Sequence, residues 1–135
     1  MKLIFCVDKQ NGMMLFGKRQ SQDRFLRERI LDLVGDVKLW MSEYSAKQFE
    51  PDAHIMVDDD YMYKAGDEDY CFVENRGYVL DNVSEIILCH WNRQYQADQF
   101  FDVDLQANQF EKKSVEAMKG SSHDNITIER YVRGE

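Results

Sequence analysis

The sequence predicts an α/β domain built on a mostly parallel sheet with an antiparallel C-terminal edge, and three observations carry that expectation. Ile86, Ile87, Leu88 and Cys89 form an unbroken apolar run closed by His90 and Trp91. A run this short and apolar on both faces marks a strand buried from both sides. Through the first half of the chain, strand-like runs alternate with helical patterns, as crossovers between parallel strands require. The last third carries strand patterns with no helix between them, which favours antiparallel pairing.

Taken in order, residues 3–7 are an apolar strand, followed by a turn whose Asn11-Gly12 pair signals reversal. Residues 13–16 are apolar without a clear period, and 17–20 form a basic, polar loop. Ser21 is placed to cap a helix that runs to about Val34 and stops at Gly35. Leu26, Ile30, Leu33 and Val34 follow the i, i+4, i+7, i+8 spacing of one buried face, which Phe25 and Leu31 widen. Residues 37–41 are a second strand. A short helix over 42–49, capped by Ser42 or Ser45, ends before Pro51, the only proline. Residues 55–57 are a brief strand, 58–69 an acidic loop, 70–73 another strand, and 74–83 a polar link with a helical turn at 78–83. After the buried strand come a polar turn at 92–96, an extended segment reaching Phe100 and Phe101, and strands at 110–116 and 126–131. No repeat or linker interrupts the chain, so residues 1–135 are read as a single domain.

At 135 residues, 44% apolar and 13% aromatic, the chain can bury a core without staples. Its net charge of −8 opposes nucleic acid and anionic membranes, and no basic cluster offsets it. Cys6, Cys71 and Cys89 each sit inside an apolar run and read as core thiols in a reducing compartment. The first apolar run is too short for a signal peptide, and no later one could span a bilayer. The expectation is a cytoplasmic protein with no nucleic-acid or membrane partner; a small molecule and a second copy of the chain stay open as partners.

Asp23 is the strongest candidate for chemistry. On a helix it lies nearly in line with Ile30, toward the apolar side, where desolvation would raise its pKa and suit it to general-acid work. The plainer alternative is an acid in the first turn that complements the helix dipole. The acids of 58–69 flank Tyr61, Met62, Tyr63 and Lys64 without a recognisable cation-loop spacing, and read as a solvated loop. His54, His90 and His123 are isolated, which excludes the clustered-histidine zinc hydrolases. His90 reads as a hydrogen-bonded structural residue and Cys89 as a core thiol. Ser121, Ser122, His123 and Asp124 juxtapose the residue types of a hydrolase triad, but neighbours in sequence cannot adopt that geometry, so the stretch reads as a loop. Trp40, Trp91, Phe100 and Phe101 read as core.

Over nearly its full length the chain resembles dihydrofolate reductase. LIFCVDKQNGM is similar to that family's first strand and the start of its active-site loop, and QDRFLRERI to the helix bearing its single catalytic acid, with Asp23 on the acid. VKLWMSEYSAKQF resembles the next strand, turn and helix; EIILCHW and YQADQFF resemble the late strand and its turn; NITIERYVR resembles the final strand. The resemblance implies a three-layer fold with helices on both faces, and a ligand cleft where Cys6, Leu26, Phe49 and Cys89 would meet a bound ring beside Asp23. Cys89 stands where the family's acid-supporting threonine would be.

The departures concern anion binding. Where the family carries Gly-Arg for the NADPH phosphate, this chain has Ser42-Glu43; where it carries Gly-Gly at the pyrophosphate, this chain has Glu74-Asn75. The arginine that grips the folate tail falls near Asp52, and the middle segment is short, which implies a truncated cofactor-side subdomain. Carboxylates in these places disfavour NADPH. The leading expectation is therefore a divergent reductase-like protein that binds a small heteroaromatic, pterin-like ligand near Asp23 without NADPH-dependent reduction. One alternative is an active reductase with an altered dinucleotide site. Another is a non-catalytic interaction or assembly protein, with Tyr61, Met62 and Tyr63 as anchors.

Overall fold

The computed structural model describes residues 1–75 and 78–134. In chain order the elements are β1 (Lys2–Val7), β2 (Gly12–Leu15), β3 (Lys18–Arg19), α1 (Arg24–Val34), β4 (Leu39–Met41), α2 (Glu43–Ala46), β5 (Ile55–Val57), α3 (Tyr61–Lys64), β6 (Tyr70–Phe72), β7 (Glu85–His90), β8 (Gln99–Phe100), β9 (Phe110–Met118) and β10 (Ile126–Arg133). A seven-stranded sheet runs β5-β4-β6-β1-β7-β10-β9, and a small second sheet runs β3-β2-β8.

β1 pairs in parallel with β6 and with β7, and β4 pairs in parallel with β5 and β6. β10 is antiparallel to both β7 and β9. The expected mixture of parallel centre and antiparallel edge is present, but the edge strand is β9. β10, later in sequence, is inserted between β7 and β9.

Alternation along β1 and β7 sends successive side chains to opposite faces. Leu3, Phe5, Ile86 and Leu88 enter one core with Tyr61 and Met62 of α3. Ile4, Ile87 and Cys89 enter the other, under Leu26, Ile30 and Val34 of α1. Helices therefore cover both faces, and each buried aliphatic side chain contributes roughly 2 kcal/mol through removal from water.

Several elements differ from the sequence expectation for local reasons. The cap of α1 is Asp23, whose side chain accepts from Leu26 N, and not Ser21. Phe25 points outward beneath the Arg24 guanidinium. The acidic loop holds one helical turn, α3, because Tyr61 and Met62 are apolar enough to be drawn into the core. That removes both from the set of surface anchors and leaves Tyr63, 83% exposed. The turn of helix expected at 78–83 does not form. Tyr78 packs edge-on against Phe5, with centroids 5.3 Å apart, and Leu80 also faces the core, a spacing of two that suits extended chain. In the link at 74–83, Arg76 and Gly77 lie outside the described residues. Phe100 is 42% exposed rather than core, whereas Trp91 and Phe101 are buried.

The β2–β3 hairpin turns on Phe16 and Gly17, both at positive φ (52° and 73°), between the paired Leu15 and Lys18. This handedness matches the twist of a two-residue hairpin, but a left-handed backbone strains any residue with a β-carbon other than asparagine or aspartate. Phe16 is nonetheless there, and 81% exposed. Phe16→Asn is expected to stabilise the fold by about 1 kcal/mol, measured as a rise in the urea midpoint at unchanged slope.

Candidate functional site

The carboxyl ends of the parallel strands converge at one place, where the chain, having built outward through β4 and β5, returns to β6 and then crosses to β7 on the other side of β1. In open sheets such a point leaves a crevice. Here it is lined by Cys6, Ser21, Asp23, Leu26, Arg27, Ile30, Gln48, Phe72, Glu74 and Trp91, and holds about 10 Å³, room for about one water. Outside it lies a groove of about 480 Å³ bounded by Leu15, Phe16, Lys18, Arg19, Gln20, Tyr95 and Gln96.

Asp23 has a fully buried side chain. Its Oδ1 accepts from Leu26 N (3.1 Å) and Ser121 N (2.9 Å), and its Oδ2 from Ser122 N (2.9 Å), with His123 Nδ1 at 3.0 Å. Burial alone would raise its pKa. The Ser122 and Ser121 amides, His123 and the Leu26 amide outweigh burial and hold the carboxyl well below the usual range. Of the two expectations, desolvated acid or helix-terminus acid, the second describes the balance of forces. Asp23 is a carboxylate that caps α1 and clamps the β9–β10 loop.

The loop that clamps it, between β9 and β10, comes close enough that a β-carbon on Gly120 would lie 2.8 Å from Asp23 Cγ and 2.9 Å from Ile126 Cδ1. His123 is buried and stacks on Trp91, with centroids 4.5 Å apart. Its other nitrogen, Nε2, lies 3.0 Å from Ser21 Oγ and 3.1 Å from Tyr95 OH. The loop reading of 121–124 holds, but no sequence signal tied it to Asp23, a hundred residues away.

On the opposite wall Glu74 is turned into the molecule. Arg19 grips it bidentately, Nε to Oε2 at 2.9 Å and Nη2 to Oε1 at 3.1 Å. Ser45 Oγ (2.7 Å) and Gln48 Nε2 (3.1 Å) also donate to Oε1. Burial pulls the Arg19 pKa down, but bonding to Glu74 and its charge raise it overall. The guanidinium also lies 4.3 Å over the Tyr44 ring and donates to Tyr44 O. This clasp pins the β2–β3 hairpin across the crevice.

Of the other expected site residues, Cys6 and Leu26 line the crevice beside Asp23. Phe49 is packed edge-on against Phe72, 5.4 Å between centroids. Cys89 is buried opposite Cys6 in the β1–β7 register. A hydrogen bond with Cys89, together with burial and nearby charge, holds the Cys6 thiol well above its ordinary range, so it is a poor nucleophile. Glu43 is exposed, its amide capped by Asp59. Asp52 accepts from His54 N. In the acidic loop Asp58 pairs with Lys64, and Asp69 accepts from Trp40 Nε1 (2.9 Å) and Gly66 N (2.9 Å). His90 Nε2 donates to Oε1 of Glu129 (2.6 Å), whose Oε2 pairs with Lys112. Among the described residues, no cluster of His, Cys, Asp or Glu is arranged to hold a metal ion.

Gly120→Ala should cost about 2 kcal/mol through overpacking against the clamp, read by chemical denaturation. Asp23→Asn should cost about 3 kcal/mol at neutral pH, because buried amides lose their charged acceptor. Since the folded pKa lies below the ordinary carboxylate value, this contribution is complete at neutral pH and is lost as pH falls below about 4. The stability gap between the wild type and Asp23→Asn should therefore narrow from about pH 5 to about pH 2, measured by denaturation at each pH.

No protein-family model matches the sequence, and no curated protein matches it. Among solved structures, dihydrofolate reductase from Enterococcus faecalis, complexed with NADP(H) and RAB-propyl, aligns over 99% of this chain and 96% of that chain. Its TM-score is 0.68 and the identity is 12%. An identity that low speaks for architecture only. The sheet order, the helix starting at Asp23 and this alignment lead to one conclusion: the chain has the dihydrofolate reductase fold, in a strongly diverged form.

Proposed function

We propose that the protein binds a small, flat, heteroaromatic molecule in the crevice beside Asp23 and does not reduce it with a nicotinamide dinucleotide. The observation that carries this is the Glu74 clasp. The carboxylate stands where the resemblance puts the dinucleotide pyrophosphate, and its charge is matched internally by Arg19. With its fork occupied by Glu74, Arg19 offers no free charge to a second anion, so the residues present do not fit a dinucleotide.

The same clasp suggests what does bind. Arg19 presents two parallel N–H groups to Glu74. The 2-amino-4-oxopyrimidine edge of a pterin, with its amino group beside N3–H, offers the same donor fork. Such a ring can replace the guanidinium once the hairpin lifts. Its faces would then lie between the apolar walls of Cys6, Leu26, Ile30, Phe72 and Trp91. Asp23 takes part as the anchor of one wall, since its oxygens are already occupied.

The proposal predicts opposite effects from the two halves of the clasp. In calorimetric titration with a panel of pterins, Arg19→Ala should tighten binding about tenfold by freeing Glu74, worth about 1.4 kcal/mol, and Glu74→Gln should abolish it. NADPH should give no thermal shift and no oxidation with dihydropteridines. No heat with any pterin at millimolar concentration, in wild type and Arg19→Ala alike, would end the reading.

A second reading, an assembly protein, is supported by Phe16, exposed and left-handed at the hairpin tip. It requires concentration-dependent association in sedimentation that Phe16→Asn removes.

A further inference from the structure

The sequence places the residue types of a hydrolase triad side by side at 121–124, where they cannot act. The fold draws a different set together. Asp23 Oδ2, His123 Nδ1, His123 Nε2 and Ser21 Oγ form a continuous chain with links of 3.0 Å and 3.0 Å. We propose that Ser21 is an activated nucleophile, with His123 as its general base and Asp23 as the positioning residue, and that the site transfers the acyl group of small carboxylic esters.

Three features support the assignment. First, Asp23 is ionised and therefore accepts only, so His123 Nδ1 must carry the hydrogen in that bond. With that hydrogen on Nδ1, the uncharged form of the ring turns a lone pair on Nε2 toward Ser21, the tautomer a base requires. Second, the imidazole is held in place by stacking on Trp91 and by its own short loop. Third, Ser21 is half-buried and lines the crevice, and Tyr95, whose hydroxyl meets the same Nε2, lines the open groove. The hydroxyl pair thus stands between the closed crevice and a concavity large enough for a small ester. Arg27 is the one cation lining the crevice among the described residues. Cys6, the other candidate nucleophile there, is held as a thiol.

The step is balanced without a cofactor. Ser21 Oγ forms a bond to the acyl carbon while its proton passes to His123 Nε2. The carbon–oxygen bond to the leaving alcohol breaks, and the alcohol leaves with that proton. Water, deprotonated by the same nitrogen, then releases the acid and regenerates the serine. This activity is separate from the ligand proposed above, since acylation of Ser21 needs neither a pterin nor an opened Glu74 clasp.

The test is labelling of the 135-residue chain with an alkyl fluorophosphonate, mapped by peptide mass spectrometry. One adduct on Ser21 is expected, absent in Ser21→Ala and formed at least tenfold more slowly in His123→Gln. Hydrolysis of p-nitrophenyl acetate should be lost in Ser21→Ala, and in the wild type should run slower in heavy water than in light water, a readout that needs no histidine variant to fold. No adduct, an adduct on Tyr95 or elsewhere, an equal labelling rate in a folded His123→Gln, or ester hydrolysis indifferent to heavy water would each overturn the proposal.

Discussion

A carboxylate taken out of water must find donors for its lone pairs, and Asp23 finds them in three backbone amides and an imidazole. Two of those amides belong to the loop joining β9 to β10, and the third to the first turn of α1. The same charge thus ends one element and fastens another. Much of the surrounding sequence follows from it. Gly120 must lack a side chain because its loop lies against the carboxylate. Ser122 supplies both an amide and a hydroxyl near Oδ2. His123 is fixed in orientation on the Trp91 ring. Remove the charge and the donors stay buried, which is the costlier state for a folded chain.

The crevice is bounded by two inward-facing carboxylates solved in different ways. Asp23 is neutralised by dipoles from the main chain, Glu74 by a full positive charge from a hairpin that could lift. Backbone amides fixed in a loop do not exchange partners readily. A guanidinium on a long side chain does. If one wall of this site moves, it is therefore the wall at Glu74.

The strands of the fold were legible because their signals are local. The run at 86–89 reads as a doubly buried strand and is one, with Ile86 and Leu88 in one core and Ile87 and Cys89 in the other. The stop at Gly35 was legible for the same reason, and the cap of α2 was narrowed to Ser42 or Ser45, of which Ser42 is the one used. Errors arose where tertiary burial outweighed local chemistry. Tyr61 and Met62 sit in a polar stretch yet are core, and Ser21, a good cap by type, yields to Asp23, whose Oδ1 accepts from Leu26 N of the helix and from Ser121 N of the β9–β10 loop at once. Asp23 and its crevice were found through resemblance and helical phase. Its partners were not, since Ser121, Ser122 and His123 are about a hundred positions away. The Arg19–Glu74 pair was missed likewise: Glu74 stood out as an acid at the expected pyrophosphate position, but Arg19 looked like part of an ordinary basic loop.

The position of β10 bears on how the chain assembles during synthesis. β9 emerges from the ribosome before the strand that must hold it, and its ladder partner in this sheet is β10 alone. Until residues 126–133 have cleared the exit tunnel, β7 has an open flank and β9 has nothing to join. The loop that neutralises the acid at the start of α1 is likewise undelivered. Until the hairpin swings in, the nascent domain therefore carries an uncovered strand edge and an acid held only by the first turn of its own helix, and the same event resolves both.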